Sequence, residues 1–198
     1  MDNFLPRSYF AGDAVELAKK LLGKKIIFGD CQGIIVETEA YKRDPASHAH
    51  KITPRSKIMF ETYGYIYVYV IYGIYHCLNI TTNEGDVGAV LIRAIKPISG
   101  FELMQERRIQ KRKNKVKLKV KDLCNGPSKL CDAFGITKKN NNQLVGEEIQ
   151  IIDALDISLS KIHATSRVGI KEGTDLLWRF YVKDNEYISV FCKNESRA

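Results

Sequence analysis

The segment Ile34-Ile35-Val36-Glu37-Thr38-Glu39-Ala40-Tyr41 constrains the fold of this chain more than any other. It has neither glycine nor proline and carries two carboxylates inside an apolar run. A strand sends alternate side chains to opposite faces, so Ile35, Glu37, Glu39 and Tyr41 are expected on one face and Ile34, Val36 and Ala40 on the other. One face then belongs to a core, and the other lines something polar. Two acids about 6–7 Å apart along one strand face repel each other, which commonly raises the pKa of one of them. A paired acid beside an aromatic ring is a candidate active-site edge, and spacing alone does not choose between Glu37 and Glu39.

The strand needs partners, and the chain supplies them. Alternating or β-branched runs recur at residues 24–27, 64–71, 75–80, 89–95, 149–152 and 179–182, separated by Gly29-Asp30, Gly73 and Asn83-Glu84-Gly85-Asp86 as turns. Helical spacing appears over 11–22, which Gly23 stops, over 99–112, and over 128–134 after Gly126-Pro127. Residues 42–59 carry two prolines and little periodicity, and read as a long loop. Strands cluster with few regular crossover helices. The expectation is an α+β fold: a single compact domain over residues 1–198, with a mixed, largely antiparallel curved β-sheet flanked by helices. A chain of 198 residues is of ordinary size for one domain.

No apolar run approaches the roughly 20 residues of a membrane span, so no membrane partner is expected. The opening Met1-Asp2-Asn3-Phe4 has neither a basic nor an apolar signal region. Five cysteines, Cys31, Cys77, Cys124, Cys131 and Cys192, fall in no CxxC spacing, which fits reduced thiols and a cytoplasmic setting. The net charge is +8, and nine cations without an acid lie between Arg107 and Lys121. Taking these nine from the 31 basic residues leaves 22 against 23 acidic ones, so the whole excess sits in one segment. Such a run either grips a polyanion or is a solvated loop whose like charges repel.

Other residues stand out for their chemistry. Six of the ten tyrosines fall between Tyr63 and Tyr75. Most read as ordinary strand residues, but Tyr72 adjoins Gly73 at a turn, where an exposed ring can wedge between bases. Arg93, within an apolar strand, needs an acidic partner such as Glu37 or Glu39, or an edge position that reaches solvent. Asn79 can read a base edge or tie two strands together. His48 and His50 with Glu39 suggest a metal site, but no recurrent ligand spacing supports one. His48 reads better as a residue that stacks or hydrogen-bonds in a pocket.

These residues form one ordered series. Val36-Glu37-Thr38-Glu39-Ala40-Tyr41, Thr53-Pro54-Arg55, Met59-Phe60 and Tyr67-Val68-Tyr69-Val70-Ile71-Tyr72-Gly73 come first. Asn79-Ile80, Leu91-Ile92-Arg93-Ala94, Gly126-Pro127-Ser128-Lys129-Leu130, Arg167-Val168-Gly169-Ile170 and Arg179-Phe180-Tyr181-Val182 follow. The series resembles the alkyladenine (3-methyladenine) DNA glycosylase family, the type found in mammals and many bacteria, from about residue 8 to the C-terminus. The resemblance implies a base-excision-repair enzyme acting on double-stranded DNA with damaged purines, as a monomer and without cofactor or metal. It selects Glu39 as the general base and Arg93 as the arginine that helps hold the attacking water. It places Tyr41 on one face of the flipped base, His48 and Tyr69 on the other, and Asn79 against the 2-amino group of guanine. Tyr72 corresponds to the residue that enters the minor groove in place of the extruded nucleotide. In a bacterium the protein would work at the nucleoid.

The implied chemistry is coherent. A base inside a duplex must be flipped out to be reached, at a cost of a few kcal/mol. Stacked aromatics suit a flat base, and suit a cationic alkylated purine better through cation–π attraction. One carboxylate can then activate water and stabilise the sugar cation. A Schiff-base route would need a nucleophilic lysine, and none is nominated, so no strand cleavage is expected. The chain departs from the family pattern in the lysine-rich segment 111–121, in His76 where an aromatic is expected, and in Leu176-Leu177-Trp178, which lacks a proline before the tryptophan. The competing reading is a non-catalytic nucleic-acid-binding module of related fold, such as a tRNA-binding domain, which has no use for Glu39 or Tyr72. A metallohydrolase built on His48 and His50 is the third.

Overall fold

The structure, a computed structural model, describes residues 3–83 and 87–190. Eight strands, β1 (Lys25–Phe28), β2 (Cys31–Tyr41), β3 (Ile66–Ile71), β4 (Tyr75–Asn83), β5 (Val87–Ser99), β6 (Ile149–Ile152), β7 (Ile162–Thr165) and β8 (Arg179–Val182), form one sheet. Its main path runs β3-β4-β5-β2-β1-β6, and every pairing between the named strands is antiparallel. Four helices flank it: α1 (Ala14–Lys20), α2 (Lys57–Glu61), α3 (Phe101–Gln110) and α4 (Pro127–Phe134). The α+β expectation holds. Among the described residues no helix is long and apolar enough to cross a membrane.

Local chemistry sets the ends of the helices. Asp13 caps α1 by accepting from the Val15 and Glu16 amides at 2.8 and 3.2 Å, so the helix starts later than residue 11. Pro97 does not end β5; it pairs with Gly33 where the register shifts, a place that tolerates a missing N–H, and α3 waits until residue 101. α4 has Pro127 in its first turn and Gly135 in the left-handed region at its end. The loop expected over 42–59 contains a short 3-10 turn, His48–His50, and the start of α2. These elements are too short for hydrophobic periodicity to reveal. In the turn expected at Asn83-Glu84-Gly85-Asp86, residues 84–86 lie outside the described residues, as does Cys192; the other four cysteines are free and buried.

β2 organises the molecule. One edge pairs with β5 along most of its length. The other edge pairs first with β1, through residues 31–34, and then with β8, through residues 37–39. Where β2 passes from one partner to the other, the register against β5 shifts at Ile35/Glu37 and again at Glu37/Thr38. A bulge adds a residue and reverses the alternation of faces. Ile35 and Ala40 therefore both enter the main core, with Leu17, Leu21, Ile92 and Phe134. Val36 packs on the other side with Ala94, Tyr181 and Ile188. The expected grouping of Ile35 with Glu37, Glu39 and Tyr41 is thus corrected: Ile35 parts from the acids at the bulge. A third cluster, Ala49, Met59, Tyr67, Val87 and Ala89, lies at the far end of β2, with Tyr41 packed against it.

Candidate active site

Glu37 and Glu39 are both fully buried, and two arginines neutralise them. Arg93 is the residue of β5 left over where the register steps from the Glu37–Ala94 pair to the Thr38–Ile92 pair. Its Nε donates to Glu37 Oε1 at 3.1 Å, Nη1 to Glu39 Oε2 at 3.2 Å, and Nη2 to Ser189 Oγ at 3.2 Å. Three of the five N–H groups of this guanidinium are used in this way. Burial disfavours the Arg93 charge, but Glu39 and Glu37 outweigh it and hold its pKa above the ordinary arginine value.

The two acids differ in their remaining partners. Glu37 also accepts from Arg179 Nε at 2.7 Å, from the Ser189 amide at 2.6 Å and from the Ser189 hydroxyl at 2.8 Å. Its bonds tie β2, β5, β8 and the segment after β8 into one knot. Glu39 accepts from the Val168 amide at 2.7 Å on Oε1, and from the Tyr41 hydroxyl at 2.9 Å on Oε2. Burial, and then the Glu39 charge, push the Tyr41 phenol well above its ordinary value, so it keeps its proton and donates.

Tyr41 joins this network to a cavity of about 80 Å³, room for several waters, lined by Tyr41, His48, Met59, Tyr67, Tyr69 and Asn79 with Ala46, Ser47 and Ala89. Glu39 and Arg93 lie behind that wall and reach it through the Tyr41 hydroxyl. His48 stands on the 3-10 turn capped by Ser47, whose hydroxyl accepts from the Ala49 amide. Its Nδ1 lies 2.8 Å from the Tyr67 hydroxyl, and its ring meets Tyr69 edge-on at 4.6 Å between centroids. Burial, aided by the Arg55 charge, lowers the His48 pKa, so the ring is neutral at pH 7. Burial raises the Tyr67 and Tyr69 phenols. Asn79 donates to the Tyr67 and Cys77 carbonyls at 3.1 and 3.3 Å. It therefore ties strands together and lines the cavity at once. The wall is rich in aromatic rings and carries no Asp, Glu, Lys or Arg side chain, and the Glu39 carboxylate meets it at the Tyr41 hydroxyl.

Two open grooves adjoin the cavity and share Pro54 and Arg55. One runs past His50 and Lys51, the other past Lys138 and Asn141. Tyr72 crowns the β3–β4 hairpin, 89% exposed. It and Gly73 have φ of 50° and 74°, and the Ile74 amide closes the turn on the Ile71 carbonyl at 3.2 Å. This left-handed pair is the signature of a type I′ turn, within the three residues that separate the paired Ile71 and Tyr75. Ile74 and Tyr75 beside it are also exposed.

The structure brings Tyr41, His48, Tyr69 and Asn79 to one cavity, with Glu39 and Arg93 beneath it and Tyr72 apart on its hairpin. Among the described residues no group of three or more His, Cys, Asp or Glu side chains is arranged to hold a metal ion. Sequence reasoning missed Tyr67, which reads as an ordinary strand residue, and the roles of Arg179 and Ser189. An arginine opening the apolar run Arg179-Phe180-Tyr181-Val182 was the available signal. Nothing local announces Ser189. The cationic segment divides. Arg107 donates to the Phe134 and Ala133 carbonyls, Arg108 and Lys111 pair with Asp132, Lys115 caps the end of α3, and Lys121 meets Glu186. Lys113, Lys117 and Lys119 are exposed.

Residues 8–186 match the family model described as methylpurine-DNA glycosylase. A protein of Clostridium botulinum named "Putative 3-methyladenine DNA glycosylase" is 44% identical over 93% of this chain and 98% of its own length. One of the same name from Clostridium acetobutylicum is 42% identical over 96% of this chain and 99% of its own. A third, from Prosthecochloris aestuarii, is 44% identical over 92% and 89%. The matched span holds both acids, both arginines and the aromatic cavity, and the chain belongs to the methylpurine-DNA glycosylase family.

Proposed function

We propose that this protein is a monomeric, monofunctional glycosylase that removes alkylated or deaminated purines from duplex DNA in the cytoplasm. Its substrates would be of the 3-methyladenine, hypoxanthine and ethenoadenine type. The observation that carries the reading is Glu39: a buried carboxylate joined through the Tyr41 hydroxyl to an aromatic cavity and held by Arg93 and the Val168 amide. In this reading the damaged nucleotide leaves the stack and its base enters the cavity. Tyr41 stacks on one face; Tyr69 and His48 close the other. An alkylated purine arrives as a cation, and the uncharged aromatic wall attracts it at about 0.5–2 kcal/mol. Asn79, fixed by two backbone carbonyls, cannot retreat from the 2-amino group of guanine.

Glu39 then takes a proton from water as the water attacks the anomeric carbon, and its charge stabilises the sugar cation as the base departs. Arg93, with two N–H groups beyond those bonded to Glu37, Glu39 and Ser189, helps hold the water. Tyr72 fills the gap in the stack, and Arg55, Lys51 and Lys138 line the grooves for phosphates. A lyase step would need a lysine amine positioned as a nucleophile at the sugar, and this reading assigns Lys51 and Lys138 to phosphates instead.

The test is base release from duplexes carrying each lesion, with Glu39→Gln as control. Wild-type protein should release free base and leave an abasic site with the strand intact. Glu39→Gln should bind the same duplex and lose release by about 10²–10⁴-fold. Folded, DNA-bound wild-type protein that releases nothing from any lesion would instead support the non-catalytic binding module.

A further inference from the structure

Tyr41 and Glu39 are both held by the chain between β7 and β8, and Arg167 stands where those contacts meet. Its side chain is fully buried. Nη2 donates to Asp44 Oδ1 at 2.6 Å and Nη1 to Asp44 Oδ2 at 3.1 Å; Nη1 also lies 3.3 Å from the Ala40 carbonyl. The guanidinium carbon is 4.8 Å from the Tyr41 ring centroid and 5.2 Å from that of Trp178. Its Nε is buried without a partner, so this guanidinium is placed by Asp44 and the two rings at the expense of one of its own hydrogen bonds. Gly173, at φ +64°, closes the loop over it; a Cβ there would come within 3.2 Å of Nη2. The next residue, Val168, gives its amide to Glu39 at 2.7 Å.

We propose that Arg167 is a positioning residue of the catalytic site: gripped by Asp44 and pressed against Tyr41 and Trp178, it sets the tilt of the base-stacking ring and the seat of the Val168 amide on Glu39. Ring and carboxylate then keep one fixed relation through a side chain that touches neither substrate nor water. This rests on the glycosylase reading of the same site. The arrangement uses what distinguishes arginine from lysine: a planar fork that matches a carboxylate and lies flat on aromatic rings. A displacement of about 1 Å at a reacting group costs on the order of 10²-fold in rate, so a loosened clamp should act on the chemical step.

The experiment compares wild type, Arg167→Lys and Asp44→Asn in single-turnover release of hypoxanthine and ethenoadenine from duplex DNA. Affinity for a duplex with a tetrahydrofuran abasic analogue, which offers no base to stack, and the thermal midpoint are measured alongside. The fluorescence of bound ethenoadenine reports its contact with Tyr41. Arg167→Lys should lower the maximal rate by at least about tenfold and change the bound ethenoadenine signal, with affinity for the abasic analogue within about threefold. Asp44→Asn should move both readouts the same way by less, and it decides the question where Arg167→Lys does not fold. Unchanged rates in both variants would overturn the proposal, as would rate, abasic-site affinity and thermal midpoint falling together. A wild type that releases no base fails the glycosylase reading instead, which the variants do not address.

Discussion

Glu37 and Glu39 are the same residue type two positions apart, and their partners separate them. Glu37 has four hydrogen bonds from Arg93, Arg179 and Ser189 and holds strands together. Glu37→Gln leaves two buried guanidinium groups short of a countercharge, so it should cost about 3–5 kcal/mol in urea unfolding. A loss below about 1 kcal/mol would mean the knot is not structural. Tyr72 is the opposite case: exposed, at positive φ, and without a core to support. Tyr72→Gly relieves the backbone and should change stability by no more than about 1–3 kcal/mol in the favourable direction. It should slow base release from duplex DNA while sparing release from single strands, where no gap needs filling; equal effects on both would remove its assignment as a wedge.

Each strand of the sheet was legible wherever its periodicity ran uninterrupted. β7 was not, because Ile162-His163-Ala164-Thr165 is short and gains its place by pairing with β8. The bulge in β2 was not either. It falls where one edge of β2 passes from β1 to β8, a long-range pairing that no local spacing encodes. The cationic segment reads as one unit along the chain, but half of it is architecture. Lys113, Lys117 and Lys119, the exposed remainder, are expected to meet DNA phosphates. Replacing all three with glutamine should make log K against log salt shallower by up to about 0.9 for each phosphate no longer neutralised. An unchanged slope would mark them as a solvated face.

The fold as a unit also carries a pH dependence through His48. Its pKa is lowered in the folded protein by burial and then by Arg55, so the unfolded chain binds the proton more readily. Stability from this residue is therefore complete above the unfolded value of 6.5 and declines as pH falls below it, levelling off once the folded-state pKa is passed. In His48→Gln, urea midpoints measured between pH 7 and pH 5 should fall less steeply than in wild type. Parallel slopes would show that His48 is not linked to folding.

The chain by itself determined the α+β class and the strand that bears the acids, and the family resemblance nominated Glu39 with Arg93, Tyr41, His48, Tyr69, Asn79 and Tyr72. Strand periodicity and residue chemistry are local, so they survive in one dimension. Tertiary structure alone decided which face Ile35 takes, that Arg179 pairs with Glu37 and Ser189 donates to it, and that Arg167 lies between Tyr41 and the loop whose Val168 amide meets Glu39. Those outcomes depend on which distant segment lies on which edge of β2. A buried charge takes whatever partner the packing brings within about 3 Å, and no spacing along the chain records that.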